Sequence, residues 1–142
     1  MALLAFVLEQ YAMVKYDEMN LERAVKPVKP SDRRVANIHT AEFTPWLADD
    51  GAPTGQSYLQ LNSEPGGVGF HVFRMDPDTT TTPHQHTGDE EFYLLSGDLR
   101  DNDGTVYKEG DLVWMKEGTE HYSYSEHGCT LLVYIKTAEV NV

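Results

Sequence analysis

The chain of 142 residues is long enough for one domain with a substantial buried core. It carries 23 acidic and 11 basic residues, and the resulting net charge of −12 disfavours nucleic acid and anionic membrane surfaces as partners. The single cysteine, Cys129, excludes an intramolecular disulfide and is consistent with a reducing compartment, so we expect a cytoplasmic protein.

Residues 1–20 carry apolar side chains near helical spacing and predict a short amphipathic helix. The apolar positions are Leu3, Leu4, Val7, Leu8, Tyr11, Val14 and Met19. An alternative is that translation begins at Met13 or Met19. The apolar run at 2–8 lacks a basic segment before it and is too short to span a bilayer, so neither a secretory signal nor a membrane anchor is predicted. A proline- and charge-rich linker extends to Arg34, and we place a domain boundary there.

From residue 35 onward the pattern changes to short alternating segments separated by Gly, Pro and Asp turns. Candidate strands include Val35–His39, Tyr58–Asn62, Gly69–Met75, Leu112–Met115 and Cys129–Lys136. Roughly nine or ten such strands, with turns every 8 to 12 residues, predict an all-β sandwich or barrel over 35–142. We expect Trp46 to anchor the core. Most other aromatic side chains should fill or face the barrel: Phe70, Phe73, Phe92, Trp114, Tyr122, Tyr124 and Tyr134.

Four side chains form a candidate metal site. His84 and His86 are two residues apart, so on a strand both imidazoles leave by one face, and Glu90 follows a short polar turn. His121 comes after a glycine turn, a strand and a second turn. Such donors suit zinc, iron, nickel, copper or manganese. We expect one divalent ion per chain (Fe, Zn, Ni or Mn), and we expect the neighbouring carboxylate of Glu91 on the opposite face of the strand.

Two sequence motifs now identify a family resemblance. His-x-His-x3-Glu-x6-Gly resembles the first motif of the cupin superfamily, and Gly-x5-Lys-x-Gly-x2-His resembles the second. The chain departs from these motifs at Asp78, Lys116 and Ser125, where cupins usually carry glycine, proline and asparagine. Segments 86–97 and 125–133 are similar to the cupin domain of ChrR-type anti-sigma factors and their stand-alone relatives. The resemblance covers about residues 35–137 and implies a double-stranded β-helix, the jelly-roll barrel, with a short N-terminal helix outside it.

His71 is the one candidate catalytic side chain outside the metal set. On an alternating strand it could point into the barrel, as a base or a substrate contact near the metal. The alternative, which the residue pattern favours, is an ordinary strand histidine with its hydrogen bonds satisfied.

The function depends on the coordination of the ion. Four protein ligands leave an octahedral ion two open positions for substrate or O₂, whereas they close the sphere of tetrahedral zinc. We therefore expect a small mononuclear metal-dependent dioxygenase, with Fe(II) as the ion, that acts on a small oxygenated organic molecule. The alternatives are a ChrR-like zinc-binding sensor without catalysis and an isomerase or lyase. The resemblance also implies a homodimer, for which the N-terminal helix would be a natural clasp.

Overall fold

The computed structural model describes residues 26–142. Residues 26–34 contain a single 3-10 turn, Pro30–Asp32. Residues 35–142 form one compact unit. The helix expected at residues 1–20 lies outside the described residues. Within 26–142, the structure contains no helix of the length and apolarity needed to cross a membrane.

Short β-strands build the compact unit, so the predicted all-β class is confirmed. In chain order they are β1 (Thr44–Leu47), β2 (Pro53–Gln60), β3 (Gly69–Met75), β4 (Thr79–Thr80), β5 (His84–Gln85), β6 (Glu90–Gly97), β7 (Leu99–Asp101), β8 (Val106–Tyr107), β9 (Leu112–Met115), β10 (Glu120–His121), β11 (Ser123–Ser125), β12 (Cys129–Ile135) and β13 (Val140–Asn141).

The strands form three antiparallel sheets. The largest has the order β1-β2-β3-β12-β6-β9, and the two smaller sheets have the orders β10-β5-β13 and β4-β11-β7-β8. The buried core draws side chains mainly from the large sheet and one, Leu99, from the third sheet. Its members are Met75, Phe92, Leu94, Leu99, Cys129, Leu131, Val133 and Ile135. The side chains between the sheets therefore define the interior in which the candidate site lies.

Strand alternation fixes which side chains enter that interior. On β6, Glu90 and Phe92 are buried while Glu91 between them is exposed. Phe92 on β6 lies opposite Val133 on β12, and Val133 lies opposite His71 on β3. The face predicted for Glu90 and the opposite face predicted for Glu91 are therefore seen in the structure.

Two expectations about the start of the barrel are wrong. Residues 35–39 form no strand, because the chain turns at Asn37, whose carbonyl accepts hydrogen bonds from the backbone N–H groups of Thr40 and Ala41. Trp46 is not a core anchor. It lies on the edge strand β1, remains 38% exposed and packs edge-on against Tyr58.

Several aromatic side chains that we expected inside lie outside. Phe70, Trp114 and Tyr134 are on the outward face of the large sheet, and each is about half exposed. Tyr134 pairs with Phe70 on one side and with Glu91 on the other, so these rings share the face of an exposed carboxylate. Tyr122 is also exposed. Both faces of these strands are rich in apolar residues, so hydrophobicity alone cannot assign the buried face.

Two of the departures from the cupin motifs, Asp78 and Lys116, fall at turns, and the third, Ser125, is the last residue of β11. Asp78 has a φ of 58°, a left-handed conformation that Asp tolerates better than most residues and that glycine would adopt freely. The carbonyl of Lys116 accepts hydrogen bonds from both the N–H and the hydroxyl of Thr119. Ser125 is fully buried, and its hydroxyl donates to the carbonyl of Asp98.

Candidate metal centre

Three imidazoles meet where two short strands pair. β5 and β10 are antiparallel, and their register places His121 directly opposite His84. His86 follows β5 by one residue, and its backbone N–H bonds to the carbonyl of Thr119 in the turn before β10. The ring centroids are 4.6 to 5.2 Å apart, and one ring nitrogen from each histidine lies within 4.8 Å of the others. The structure thus brings the three predicted histidines together.

Hydrogen bonds fix the tautomers of His84 and His86. His84 Nδ1 lies 2.7 Å from the carbonyl oxygen of Thr82, which can only accept, so this nitrogen carries the proton. His86 Nδ1 lies 2.9 Å from Thr119 Oγ1. The Thr119 hydroxyl donates its one proton to the carbonyl of Lys116, so it must accept from His86. In both rings, therefore, Nε2 carries the free lone pair.

His121 is held by a buried carboxylate. Its Nδ1 is buried and lies 3.1 Å from Asp101 Oδ1, the distance of a short ion pair. The angle of this contact is too far from linear for a regular hydrogen bond. Asp101 also accepts hydrogen bonds from the hydroxyls of Tyr107, at 2.7 Å, and Ser123, at 2.6 Å. A carboxylate behind a histidine is the arrangement that orients metal-binding imidazoles in proteins.

These partners leave the Nε2 atoms turned toward one another. His121 Nε2 and His86 Nε2 are 3.1 Å apart, and burial is the main factor that lowers the pKa of His86 to about 4. At neutral pH His86 is thus uncharged, and its Nε2 lone pair faces His121 Nε2, so the two nitrogens share either a proton or a metal ion. Atoms that each bind one ion at about 2.1 Å can be at most about 4.2 Å apart, and the 3.1 Å between His86 Nε2 and His121 Nε2 meets this limit. These two nitrogens therefore fit a shared divalent ion, with a ring nitrogen of His84 within 4.8 Å of them.

Glu90 brings a carboxylate to the same point. It is 8% exposed, and its Oε2 lies 3.5 Å from His86 Nε2. Burial, followed by a hydrogen bond and charge repulsion from Glu139, raises the pKa of Glu90 well above its ordinary value. A buried acid of this kind gives up its proton readily only when a positive charge is bound beside it.

Sequence reasoning missed a second carboxylate, that of Glu139. Its Oε1 lies 3.5 Å from His84 Nε2 and 3.6 Å from His86 Nε2. Together with His86 and Glu90, it forms a further group of atoms close enough to share an ion. Glu139 precedes β13, which pairs with β5, so only the long-range strand register reveals its position.

Asp101 was also missed, because a turn sequence gives no sign that the first side chain of the turn is buried. The sequence Asp-Asn-Asp-Gly predicts a hairpin turn, and residues 101–104 do form one, yet the Asp101 side chain is buried. Burial alone would raise the pKa of Asp101, but the contacts with His121, Ser123 and Tyr107 outweigh it and keep the pKa below its ordinary value. The residue is thus an anion at neutral pH.

A cavity of about 300 Å³ adjoins the cluster, within the size range of small-ligand sites. His84, Glu90, His121 and Glu139 line one end. The remaining wall is largely apolar, with side chains that include Trp46, Phe73, Phe92, Leu99, Leu131 and Val133. His71 lies on this wall, where its Nδ1 contacts the carbonyl of Gly69 and burial lowers its pKa, so the ring is neutral. A catalytic role for His71 stays a prediction.

Solved structures share this fold at low sequence identity. An acetylacetone dioxygenase from Acinetobacter johnsonii aligns over 83% of each chain with a TM-score of 0.64 and 14% identity. The polyketide cyclase RemF from Streptomyces resistomycificus aligns over 78% of this chain and 85% of its own, with a TM-score of 0.58 and 17% identity. A chain of the Rhodobacter sphaeroides complex of SigE with the anti-sigma ChrR aligns over 82% and 73%, with a TM-score of 0.55 and 18% identity. These matches show the cupin fold.

No curated protein matches the chain. The family model described as the ChrR cupin-like domain matches residues 31–139, which is most of the sequence. The resemblance found in the motifs is thereby confirmed, and the chain belongs to the ChrR cupin-like domain family.

Proposed function

We propose that this protein is a mononuclear metal-dependent dioxygenase that acts on a small, oxygenated, uncharged organic molecule. His84, His86, Glu90 and His121 would hold one divalent ion. The observation that carries the proposal is the convergence of three imidazoles beside a cavity whose wall is largely apolar. When bound, an Fe(II) ion would supply the positions at which substrate oxygen and O₂ are polarised or reduced.

The residues of the chain prepare that site. The carbonyl of Thr82 and the hydroxyl of Thr119 keep His84 and His86 in the tautomer that offers Nε2. The carboxylate of Asp101 lies behind His121 Nδ1 and favours a proton on that nitrogen. The carboxylate of Glu90 would offset part of the charge of the ion. The neutral ring of His71, on the cavity wall, could accept a proton from a bound substrate.

The cavity favours a particular class of substrate. Among the described residues that line it there is no Lys or Arg, whereas Glu90, Glu139 and Asp49 are present. Such a site, in a chain of net charge −12, disfavours a carboxylate or phosphate substrate. A volume of about 300 Å³ and aromatic walls suit a small diketone or phenol, and acetylacetone, the substrate of one structural neighbour, is the first compound to test.

Metal analysis tests the binding half of the proposal. Purified wild-type protein should take up one equivalent of Fe(II), and His84→Ala and His121→Ala should each take up little or none. His127→Ala is the matched control, because this histidine is largely exposed and contacts Asp98, away from the cluster. Equal uptake by all four proteins would contradict the proposed ligands.

Oxygen consumption tests the catalytic half. The Fe(II)-loaded protein should consume O₂ in the presence of one member of a panel of β-diketones and phenols, and the His121→Ala variant should not. A wild-type protein that binds iron but consumes no O₂ with any member of a broad panel would contradict a dioxygenase.

A zinc-binding module without catalysis is the second candidate. The observation that favours it is Glu139, a further donor beside His84 and His86 that would reduce the positions left for a substrate. Stoichiometric zinc that resists chelators, in protein from unsupplemented cells, would support this function.

A further inference from the structure

Glu139 lies in a segment that is hydrogen-bonded, on both sides of this residue, to β5 and the residues next to it. Before it, Thr87 Oγ1 donates to the carbonyl of Ala138 at 2.6 Å. After it, β13 pairs with β5 so that Asn141 lies opposite His84, and the backbone N–H of Val142 bonds to the carbonyl of Pro83. The position of Glu139 beside the cluster is therefore built into the sheet.

The carboxylate points at the lone pairs of two imidazoles. Glu139 Oε1 is 3.5 Å from His84 Nε2 and 3.6 Å from His86 Nε2. In the neutral tautomers set by Thr82 and Thr119, both Nε2 atoms carry lone pairs, so neither neutral ring can donate a hydrogen bond to Glu139. Three acceptor atoms at these distances attract one another only through a shared cation, and a metal ion can be held by all three at once.

We propose, resting on the metal site of the proposed function, that Glu139 is a fifth protein ligand of the ion, which makes the set three histidines and two glutamates. The acid groups are not equivalent. Glu90 is nearly buried, whereas the side chain of Glu139 is 28% exposed on the cavity side. Glu139 is thus the ligand that a substrate meets and the one that it can displace.

This ligand set changes what the site can bind. Five protein donors leave one open position on a six-coordinate ion. A molecule that binds through one oxygen atom can enter without displacing a ligand, whereas a molecule that chelates through two oxygen atoms must displace Glu139. Displacement costs the Glu139–metal bond, and it leaves the freed carboxylate against the substrate, where it can accept a proton.

A competing explanation is that Glu139 matters only as a nearby charge, or only through a proton shared with Glu90. A metal bond and a charge effect respond differently when the side chain at position 139 is shortened. A charge effect persists when the carboxylate is drawn back by one methylene, because Coulomb energy falls slowly with distance. A metal bond does not persist, because ligand distances are fixed within a few tenths of an ångström.

The test uses Co²⁺ as a spectroscopic probe with the full chain. Co²⁺ affinity is measured by chelator competition and the ligand field by visible absorption, for wild type, Glu139→Ala, Glu139→Asp and the control Glu91→Ala. Glu91 is an exposed carboxylate on β6 that faces away from the site. Circular dichroism and thermal melting of the metal-free proteins confirm that each variant is folded.

The expected result is a loss of about 10-fold or more in affinity for both Glu139 variants, with altered visible bands, and no change for Glu91→Ala. Wild-type affinity and bands in Glu139→Ala would overturn the inference while leaving the four-ligand site intact. Full affinity and unchanged bands in Glu139→Asp, with a loss only in Glu139→Ala, would assign Glu139 a charge effect and also overturn it. Failure of the wild type to bind Co²⁺, Zn²⁺ or Fe(II) would overturn the proposed function itself.

Discussion

Asp101 Oδ1 lies 3.1 Å from His121 Nδ1, and both the Asp101 side chain and that nitrogen are buried. Asp101 accepts hydrogen bonds from the hydroxyls of Tyr107 and Ser123, so its orientation does not depend on the histidine. Burial, and then the hydrogen bond to Asp101, raises the pKa of Tyr107 far above its ordinary value, which keeps that hydroxyl a donor. The carboxylate is therefore a fixed support for one proposed ligand.

Replacing Asp101 with asparagine should weaken metal binding by 10- to 100-fold, as expected for the loss of a carboxylate behind a ligating histidine. The reason is that Asn can present its amide N–H₂ to Nδ1 and so favour the wrong tautomer of His121. Chelator competition measures the affinity. Asp103→Asn is the control, because Asp103 lies in the same turn and accepts a hydrogen bond from the backbone N–H of Thr105. Equal affinity in the two variants would contradict this role for Asp101.

Glu90→Gln should make the metal-free protein more stable at neutral pH even though metal binding is lost. The folded pKa of Glu90 is raised, so its stability contribution is present below the unfolded pKa of about 4.5 and is lost as pH rises toward the folded pKa. Gln stays neutral at every pH and escapes that loss.

Thermal melting with excess chelator measures the effect. We expect a higher melting temperature than wild type at pH 7, by about 4 °C for each kcal/mol gained, and little difference at pH 4. Glu91→Gln is the control, since that side chain is exposed on the same strand. A melting temperature for Glu90→Gln below that of wild type at pH 7 would show that the buried carboxylate does not destabilise the metal-free protein.

The fold and part of the site could be predicted from local sequence patterns. Regular spacing of strands and turns indicated an all-β barrel, and the bounds of Gly69–Met75 and Leu112–Met115 coincide with β3 and β9. The i, i+2 spacing of His84 and His86 placed two imidazoles on one side because strand geometry is local. His121 was placed by its position after a glycine turn, a strand and a second turn, whereas the pairing of β10 with β5 that sets it opposite His84 leaves no local pattern.

Other parts of the site depend on pairings that leave no local pattern. Glu139 comes from a segment whose strand, β13, has two residues, too few to show alternation. Asp101 lies in a turn sequence, and only the pairing of β7 with β8 and β11 turns its side chain inward. The exposed aromatic side chains were assigned to the interior for a similar reason, because a strand with apolar residues on both faces does not reveal which face is covered.

Phe92 and Trp114 test that assignment of faces. Phe92 is 3% exposed between the sheets, so Phe92→Ala should destabilise the protein by about 3–5 kcal/mol. Trp114 is 57% exposed on the outer face, so Trp114→Ala should cost less than about 1 kcal/mol. Urea unfolding of both variants gives the comparison. A large loss at Trp114 would mean that this face is covered in solution, and light scattering of the same samples would show whether the expected homodimer covers it.

Gly97 and Gly104 separate backbone strain from close packing. Both have a φ near +89°, so alanine at either position carries the cost of a left-handed conformation, about 1 kcal/mol. A Cβ at Gly97 would lie 2.0 Å from the carbonyl oxygen of Gly128, whereas a Cβ at Gly104 would have nothing within 4 Å. Gly97 also pairs with Cys129 at the start of β12, so the neighbouring backbone cannot withdraw without breaking the ladder.

We therefore expect Gly104→Ala to lower the free energy of unfolding by about 1 kcal/mol and Gly97→Ala by at least about 3 kcal/mol, since strain and overpacking add at that position. Urea denaturation at pH 7 measures both. Failure of Gly97→Ala to accumulate as folded protein, with Gly104→Ala folded, agrees with the prediction. Equal losses of unfolding free energy in the two variants would contradict the prediction. They would show that the contact between residues 97 and 128 relaxes without destabilising the protein, and that glycine is needed at position 97 only for its backbone conformation.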